Sequence, residues 1–326
     1  MQRRNFLQAF LGATFVGLSR KAQAQAPAGA RELRIGSQKN GVLVIAHQQG
    51  ALERRLDPRR IEVKWSEFTS GPPMLEAMNA GSVDVGQVGD IPPIFAQAAG
   101  AAIVYVAGQP ITNGQGILVK QQSPIHTLSD LKGRRIGFTQ GSSAHNVTLI
   151  ALEKANLTYA DITPVYLTPP DGAAAFARDS IDAWAIWDPY FAIGEAHGGR
   201  ILVRASEIGK TNSFYIGNRD FAAREPQLLR DVLDTLAETA KWAESNRDKV
   251  AKSLAEVTGV DLDVQTIAAN RSSFAIGKLT DDIIATQQAV ADRFLKLGLI
   301  PKPIVIRDAV WSGALGHSAH CFPALS

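Results

Sequence analysis

Cysteine is almost absent from this chain: Cys321 is the only one in 326 residues, so no internal disulfide can form and the fold must rest on its hydrophobic core. Catalytic signatures are missing too. Gly114 and Gly116 begin a G-x-G whose third glycine position holds Val119, Gly209-Lys210-Thr211 lacks the P-loop glycine five residues earlier, and neither G-x-S-x-G nor H-E-x-x-H occurs. No nucleophile and base pair stands out, which argues against an enzyme. His317, His320 and Cys321 have an H-x-x-H-C spacing, but they sit in a small glycine-containing tail, 312–326, with no second ligand pair. That tail is expected to be flexible and metal-free, and no cofactor is expected.

Long apolar runs are also lacking, apart from one near the start that is too short to span a bilayer. There, Arg3 and Arg4 precede Asn5-Phe6-Leu7, an apolar run reaches Leu18, and Ala22, Ala24 and Ala26 offer A-x-A cleavage sites. The pattern predicts a secretory signal of the twin-arginine type over 1–26, cleaved near Ala24 or Ala26, and hence a periplasmic protein. Those 26 residues hold four of the 34 Lys and Arg and none of the 31 Asp and Glu, so the rest of the chain carries 30 basic against 31 acidic groups. With charge so balanced and no Lys/Arg-rich run, no nucleic-acid partner is expected. A composition of 45% hydrophobic and 20% charged residues is that of a globular protein, here long enough for two lobes.

From Glu32 onward, β-rich runs at 33–36, 61–68 and 83–89 alternate with helical ones at 42–52, at 74–78 and from Ile91. This βαβαβα order predicts a mostly parallel sheet covered by helices, with ligands at the carboxyl ends of its strands. Three such ends, Ser37-Gln38-Lys39, Thr69-Ser70-Gly71 and Gly89-Asp90, carry polar or glycine residues that can converge. A strand at 103–107 leads into the glycine- and proline-rich stretch 108–116, read as a crossover. A second series follows: strand 135–139, turn 140–143, helix 144–155, then runs at 165–167, 173–178, 184–187 and 201–205. A strand at 214–217 carries the chain back, and 226–259 and 283–298 read as helical. The expected class is α/β, two α/β lobes joined by two crossover segments: 31–117 plus 219–311 as lobe 1 and 118–218 as lobe 2, with the ligand cleft between them.

Two strand–turn–helix units stand out. In VGQVGDIPPIFAQAAG (85–100), Gly86 and Gly89 permit close approach, and Pro92 and Pro93 remove the amides that an N-cap Asp90 would bond, leaving its carboxylate for another partner. Gln140-Gly141-Ser142-Ser143-Ala144-His145-Asn146 repeats the motif, and its amides and hydroxyls suit an oxyanion, although a Ser-capped helix is the plainer reading of that turn alone. Two facing helix starts make a clamp. His145 lies close enough in sequence to donate to the same anion. In the run 183–190, where aromatics are most often core, Trp184 is expected in the core, while Trp187 and Tyr190, beside Asp188 and a proline turn, can instead form a wall for an apolar ligand body. Arg271 reads as a solvated helix residue or a charge partner.

These residues together resemble the periplasmic aliphatic sulfonate-binding proteins of ABC importers, within the wider nitrate, sulfonate and taurine group. The likeness runs from Leu33-Arg34-Ile35-Gly36 through Phe68 and Gly71-Pro72 to the stretch Gly89 to Ala98, then through Gly141-Ser142-Ser143 and His145-Asn146. It continues in Asp182-Ala183-Trp184, Trp187-Asp188-Pro189-Tyr190, Ser213-Phe214-Tyr215, Ile306-Arg307 and Trp311. The resemblance implies a type II periplasmic binding protein fold, and a monomer that captures an aliphatic sulfonate and delivers it to a membrane permease of an ABC importer. The sulfonate is then expected at the helix starts of Gly89 and Gly141, with Ser142, Ser143 and His145 as donors and Trp187 and Tyr190 on the organic part. Gln38, Ser70 and Tyr215 are further candidates from the facing strand ends, and Asp90 is expected to pair with Arg271 or with an amine on the ligand. The family usually has an aromatic residue where Ser37 stands and a glycine where Asn212 stands, which leaves the substrate subclass open. The alternatives are a nitrate, taurine or pyrimidine-precursor binding protein of the same family, or a biosynthetic enzyme on the same fold.

Overall fold

The computed structural model describes residues 31–110 and 113–315; the stretch 1–26 read as a secretory signal and the His317, His320 and Cys321 pattern lie outside them. The first series is β1 (Arg31–Ser37), α1 (Val42–Gln49), α2 (Ala51–Leu56), β2 (Ile61–Glu67), α3 (Gly71–Asn79), β3 (Val85–Val88), α4 (Ile91–Ala98) and β4 (Ile103–Pro110). The single helix expected over 42–52 is two, because Gly50 turns left-handed at φ 59° and closes α1. The second series is β5 (Gln115–Lys120), β6 (Arg135–Phe138), α5 (Ser143–Lys154), β7 (Thr163–Tyr166), α6 (Pro169–Ala177), β8 (Ala183–Trp187), α7 (Tyr190–Ala196), β9 (Gly199–Arg204) and α8 (Ala205–Ile208). Then come β10 (Asn212–Asn218), α9 (Arg219–Arg224), α10 (Pro226–Ser245), α11 (Arg247–Thr258), α12 (Leu262–Arg271), α13 (Asp281–Lys296) and α14 (Ser312–Leu315). The helical stretch expected over 226–259 breaks at Asn246, whose φ of −135° and ψ of 40° leave the helical region. The first residues of the expected tail, Ser312–Leu315, are helical.

Two five-stranded sheets result, in the orders β2-β1-β3-β10-β4 and β7-β6-β8-β5-β9. They share one plan. In each, three parallel strands carry the strand–turn–helix units, and the next position is filled by a strand antiparallel to both neighbours, β10 in the first sheet and β5 in the second. The lobe boundaries therefore differ from those expected: residues 115–117 belong to the second lobe, and 212–218 to the first. Phe214 to Ile216 is a short apolar run that can complete a ladder in either sheet, so its local pattern does not say which lobe owns it.

Apolar side chains cover both faces of each sheet. In the first lobe, Leu33, Val85 and Leu229 lie in one buried cluster and Met74, Ile94 and Phe294 in another. In the second, Phe138 and Val147 pack on one side and Trp184 and Phe191 on the other, so Trp184 is a core residue as expected. No helix among the described residues is long and apolar enough to cross a membrane.

Candidate functional site

The three strand ends singled out in the sequence do converge. Gln38 after β1, Gly71 after β2 and Gly89 after β3 all line one cavity of about 130 Å³, closed from the second lobe by Ser142, Ser143, Gln115, Trp187 and Asp188. The two helix starts face each other so closely that a Cβ on Gly89 would lie 2.7 Å from Cβ of Ser143. Glycine is required there by contact rather than by backbone angle. Gly141 lies just before α5 at φ 70°, a conformation that favours glycine, and turns the chain so that Ser142 and Ser143 reach the cavity.

Not every donor of the second turn is available. The Ser142 amide and hydroxyl both donate to the carbonyl of Thr139, at 3.2 and 2.7 Å, and the His145 amide returns to the carbonyl of Ser142. The amides of Ser143 and Ala144 and the Ser143 hydroxyl have no partner among the described residues. A further donor comes from Gln115, which is buried, lines the cavity and leaves its Nε2 without a partner. Gln115 pairs in register with Trp187 of β8, which sets the two side chains on the same face. Gln38 donates to the carbonyl of Gln87 at 3.1 Å, and Gln87 in turn donates to Gln109, which donates to the carbonyl of Ser273. That chain of amides holds the first-lobe wall in one arrangement.

His145 is not a donor to the cavity. Its Nδ1 accepts the Gly141 amide at 3.4 Å, which occupies that amide as well, and its ring packs against Phe138 and Phe294. Burial lowers its pKa from 6.5 to about 4, so it is neutral, and the Nε2 is buried without a partner. Tyr215 is fully buried in the first-lobe core and does not line the cavity. Ser70 is buried at the N-cap of α3 beside Gly71, and Tyr190 borders an adjoining cavity. Neither Ser37 nor Asn212 is among the lining residues.

Asp90 pairs with neither Arg271 nor a position open to a ligand amine. It is 1% exposed, and its carboxylate accepts Nδ2 of Asn146 from α5 at 2.6 Å, while Oδ1 has no partner. Arg293 of α13 donates to Oδ1 of the same Asn146 and pairs with Glu153, so this group of contacts joins the two lobes. Burial raises the Asp90 pKa to about 7, against the opposing pull of the Asn146 hydrogen bond, the nearby amides and the Arg293 charge. The missing proline amides left the carboxylate free, and the other lobe took it.

Arg271 also crosses between the lobes, at a different place. From the end of α12 it donates to both oxygens of Asp188, at 2.7 and 2.6 Å, and to Glu195 at 2.5 Å, with its guanidinium 4.7 Å from the Phe191 ring. Burial opposes the Arg271 charge, but Asp188 and Glu195 outweigh it and hold the pKa above its ordinary value. Burial pushes Asp188 above the usual carboxylate range, and Arg271 pulls it back. Asn40 of the first lobe adds a hydrogen bond to the carbonyl of Asp188 at 2.6 Å. Local sequence offered no sign of Gln109, Gln115 or Ser273, since polar residues in strands and loops are common; their role comes from burial and partners.

The chain matches the family model described as NMT1/THI5 like over residues 61–250. It is 42% identical over 283 residues to a protein of Escherichia coli K12 named as an aliphatic sulfonates-binding protein, covering 86% of this chain and 88% of that one. Among solved structures it resembles the alkanesulfonate-binding protein SsuA of Xanthomonas axonopodis pv. citri bound to MOPS, with TM-score 0.82, 41% identity and coverage of 86% and 98%. The periplasmic aliphatic sulphonate binding protein SsuA of Escherichia coli gives TM-score 0.79 and 41% identity, with coverage of 87% and 98%. The two-lobed type II periplasmic binding protein architecture read from the sequence is thus the one found, and the chain belongs to the NMT1/THI5-like family, among its aliphatic sulfonate-binding proteins.

Proposed function

We propose that this protein binds an organosulfonate anion in the cleft between its lobes and delivers it, in the periplasm, to the membrane permease of an ABC importer. The observation that carries the reading is the set of unpartnered donors on the cavity wall: the Gln115 amide, the Ser143 amide and the Ser143 hydroxyl at the N-terminus of α5. Among the described residues no Lys or Arg lines the cavity, and the one charged residue there, Asp188, is paired with Arg271. A helix start and neutral donors suit an anion that is already ionised and needs to be released again. The relatives at 41% and 42% identity are named for binding sulfonates, and MOPS, held by one of them, is itself an organosulfonate. The protein is a binding protein rather than an enzyme, in keeping with the missing nucleophile and base pair.

Calorimetric titration of the purified protein against alkanesulfonates, taurine, sulfate and nitrate tests the reading. Micromolar binding of an alkanesulfonate, about −8 kcal/mol, is expected, with a raised melting temperature at millimolar ligand. Joint substitution Gln115→Ala and Ser143→Ala is expected to weaken binding by about 10- to 100-fold. Binding of nitrate or sulfate with no response to any sulfonate overturns it.

A further inference from the structure

A second cavity, of about 260 Å³, adjoins the first and shares Gln38, Asn40, Trp187 and Asp188 with it. Its other walls are the exposed residues Glu67, Thr69 and Pro170 together with Tyr190, which places it at the mouth of the cleft, between the two lobes. Trp187 and Tyr190 give it an aromatic side. Of its charged residues, Lys39 is drawn to the carbonyl of Thr258 at 3.3 Å, at the C-terminal end of α11, and Asp188 is paired with Arg271. Glu67 is left, and its carboxylate forms no hydrogen bond or ion pair among the described residues. The Tyr190 hydroxyl feels it: burial and then the Glu67 charge push its pKa up.

Resting on the sulfonate reading of the first cavity, we propose that this second cavity is a tail subsite for a cationic amine, so that the preferred ligands are zwitterionic sulfonates with an extended spacer. The sulfonate sits at Ser143 and Gln115, the spacer runs past Trp187, and the ammonium lies between the Tyr190 ring and Glu67. Aromatic faces attract a cation, and an unpaired carboxylate in a partly enclosed space adds to that attraction. Glu67 borders the second cavity and not the first, so a compact amino-sulfonate leaves its ammonium short of it.

The test is titration with hexanesulfonate and its ω-amino counterpart, which differ only in the terminal charge. The amino compound is expected to bind about tenfold tighter at low ionic strength, and the advantage to shrink in high salt. Glu67→Gln, at an exposed position, is expected to abolish the advantage and leave hexanesulfonate binding unchanged, while Tyr190→Ala weakens the amino compound more than the plain one. Equal affinities in the unaltered protein, or a preference that survives Glu67→Gln, overturn the proposal. If both sulfonates bind alike, only the tail subsite falls; if neither binds while another anion does, the sulfonate reading falls with it.

Discussion

Where α5 of the second lobe lies against the first, Leu149 is buried in a cluster whose other buried members all come from the first lobe, and His145 meets Phe294 edge-on at 5.4 Å. Where α7 lies against α12, the buried apolar cluster is small, Ala192 with Val264 and Ala268, and the contact is carried by Arg271 between Asp188 and Glu195. The two junctions respond differently to separation. Parting the first exposes apolar surface, at about 25 cal/mol per Å². Parting the second returns charged groups to water and restores solvation that burial had removed. On its apolar burial, the α5 junction is expected to be the more costly one to open, and the α7–α12 junction the less costly.

The largest expected effect breaks the ionic side. Arg271→Ala leaves Asp188 and Glu195 without their counter-charge and is expected to cost the closed form about 3–5 kcal/mol. In stopped-flow measurements ligand dissociation should accelerate by about 100-fold or more, and small-angle scattering should show a more open unliganded protein. An unchanged dissociation rate would show that the ion cluster does not hold the lobes together. Next in size is Leu149→Ala, expected to lower stability in urea melts by about 2–4 kcal/mol through the cavity it leaves, with little change in ligand dissociation. Should dissociation speed up as in the Arg271 variant, the contrast between the two junctions disappears.

The smallest effect is a pH dependence within the α5 junction. Asp90 is raised from 3.8 to about 7, so the native state holds a proton that the unfolded chain has released. Its contribution to stability is full below the unfolded value and is lost as pH rises toward 7. His145, lowered from 6.5 to about 4, acts in the opposite sense: stability is present above 6.5 and lost as pH falls through 4. Asp90→Asn removes the first and keeps the second. The variant is expected to be more stable than the unaltered protein above pH 7, by on the order of 1–3 kcal/mol, with the difference vanishing near pH 4. Identical pH profiles in urea melts would contradict this.

Much of the fold was legible because its signals are local. Alternation in β1 and β3, the glycine at 89 and the prolines at 92 and 93 each act on their own stretch of chain, and the strand ends they produce do meet at one cavity. The cavity wall was legible in part. Ser143 and Trp187 line the cavity, but His145, at the start of α5, and Tyr215, in the middle of β10, are buried by packing that no local pattern records. Gln115 went the other way: a polar residue at a strand start lines the cavity with its buried amide left without a partner.

Period, turn residues and missing amides are written within a few neighbouring positions, and they set the pair of strand–turn–helix units and the close approach that Gly89 allows. Which lobe owns β5 and β10 was settled by long-range packing, because an apolar run completes a ladder in either sheet. That packing also set the partners of Asp90 and Arg271. A buried charge selects whatever group lies within hydrogen-bond reach, and here that group came in each case from the opposite lobe.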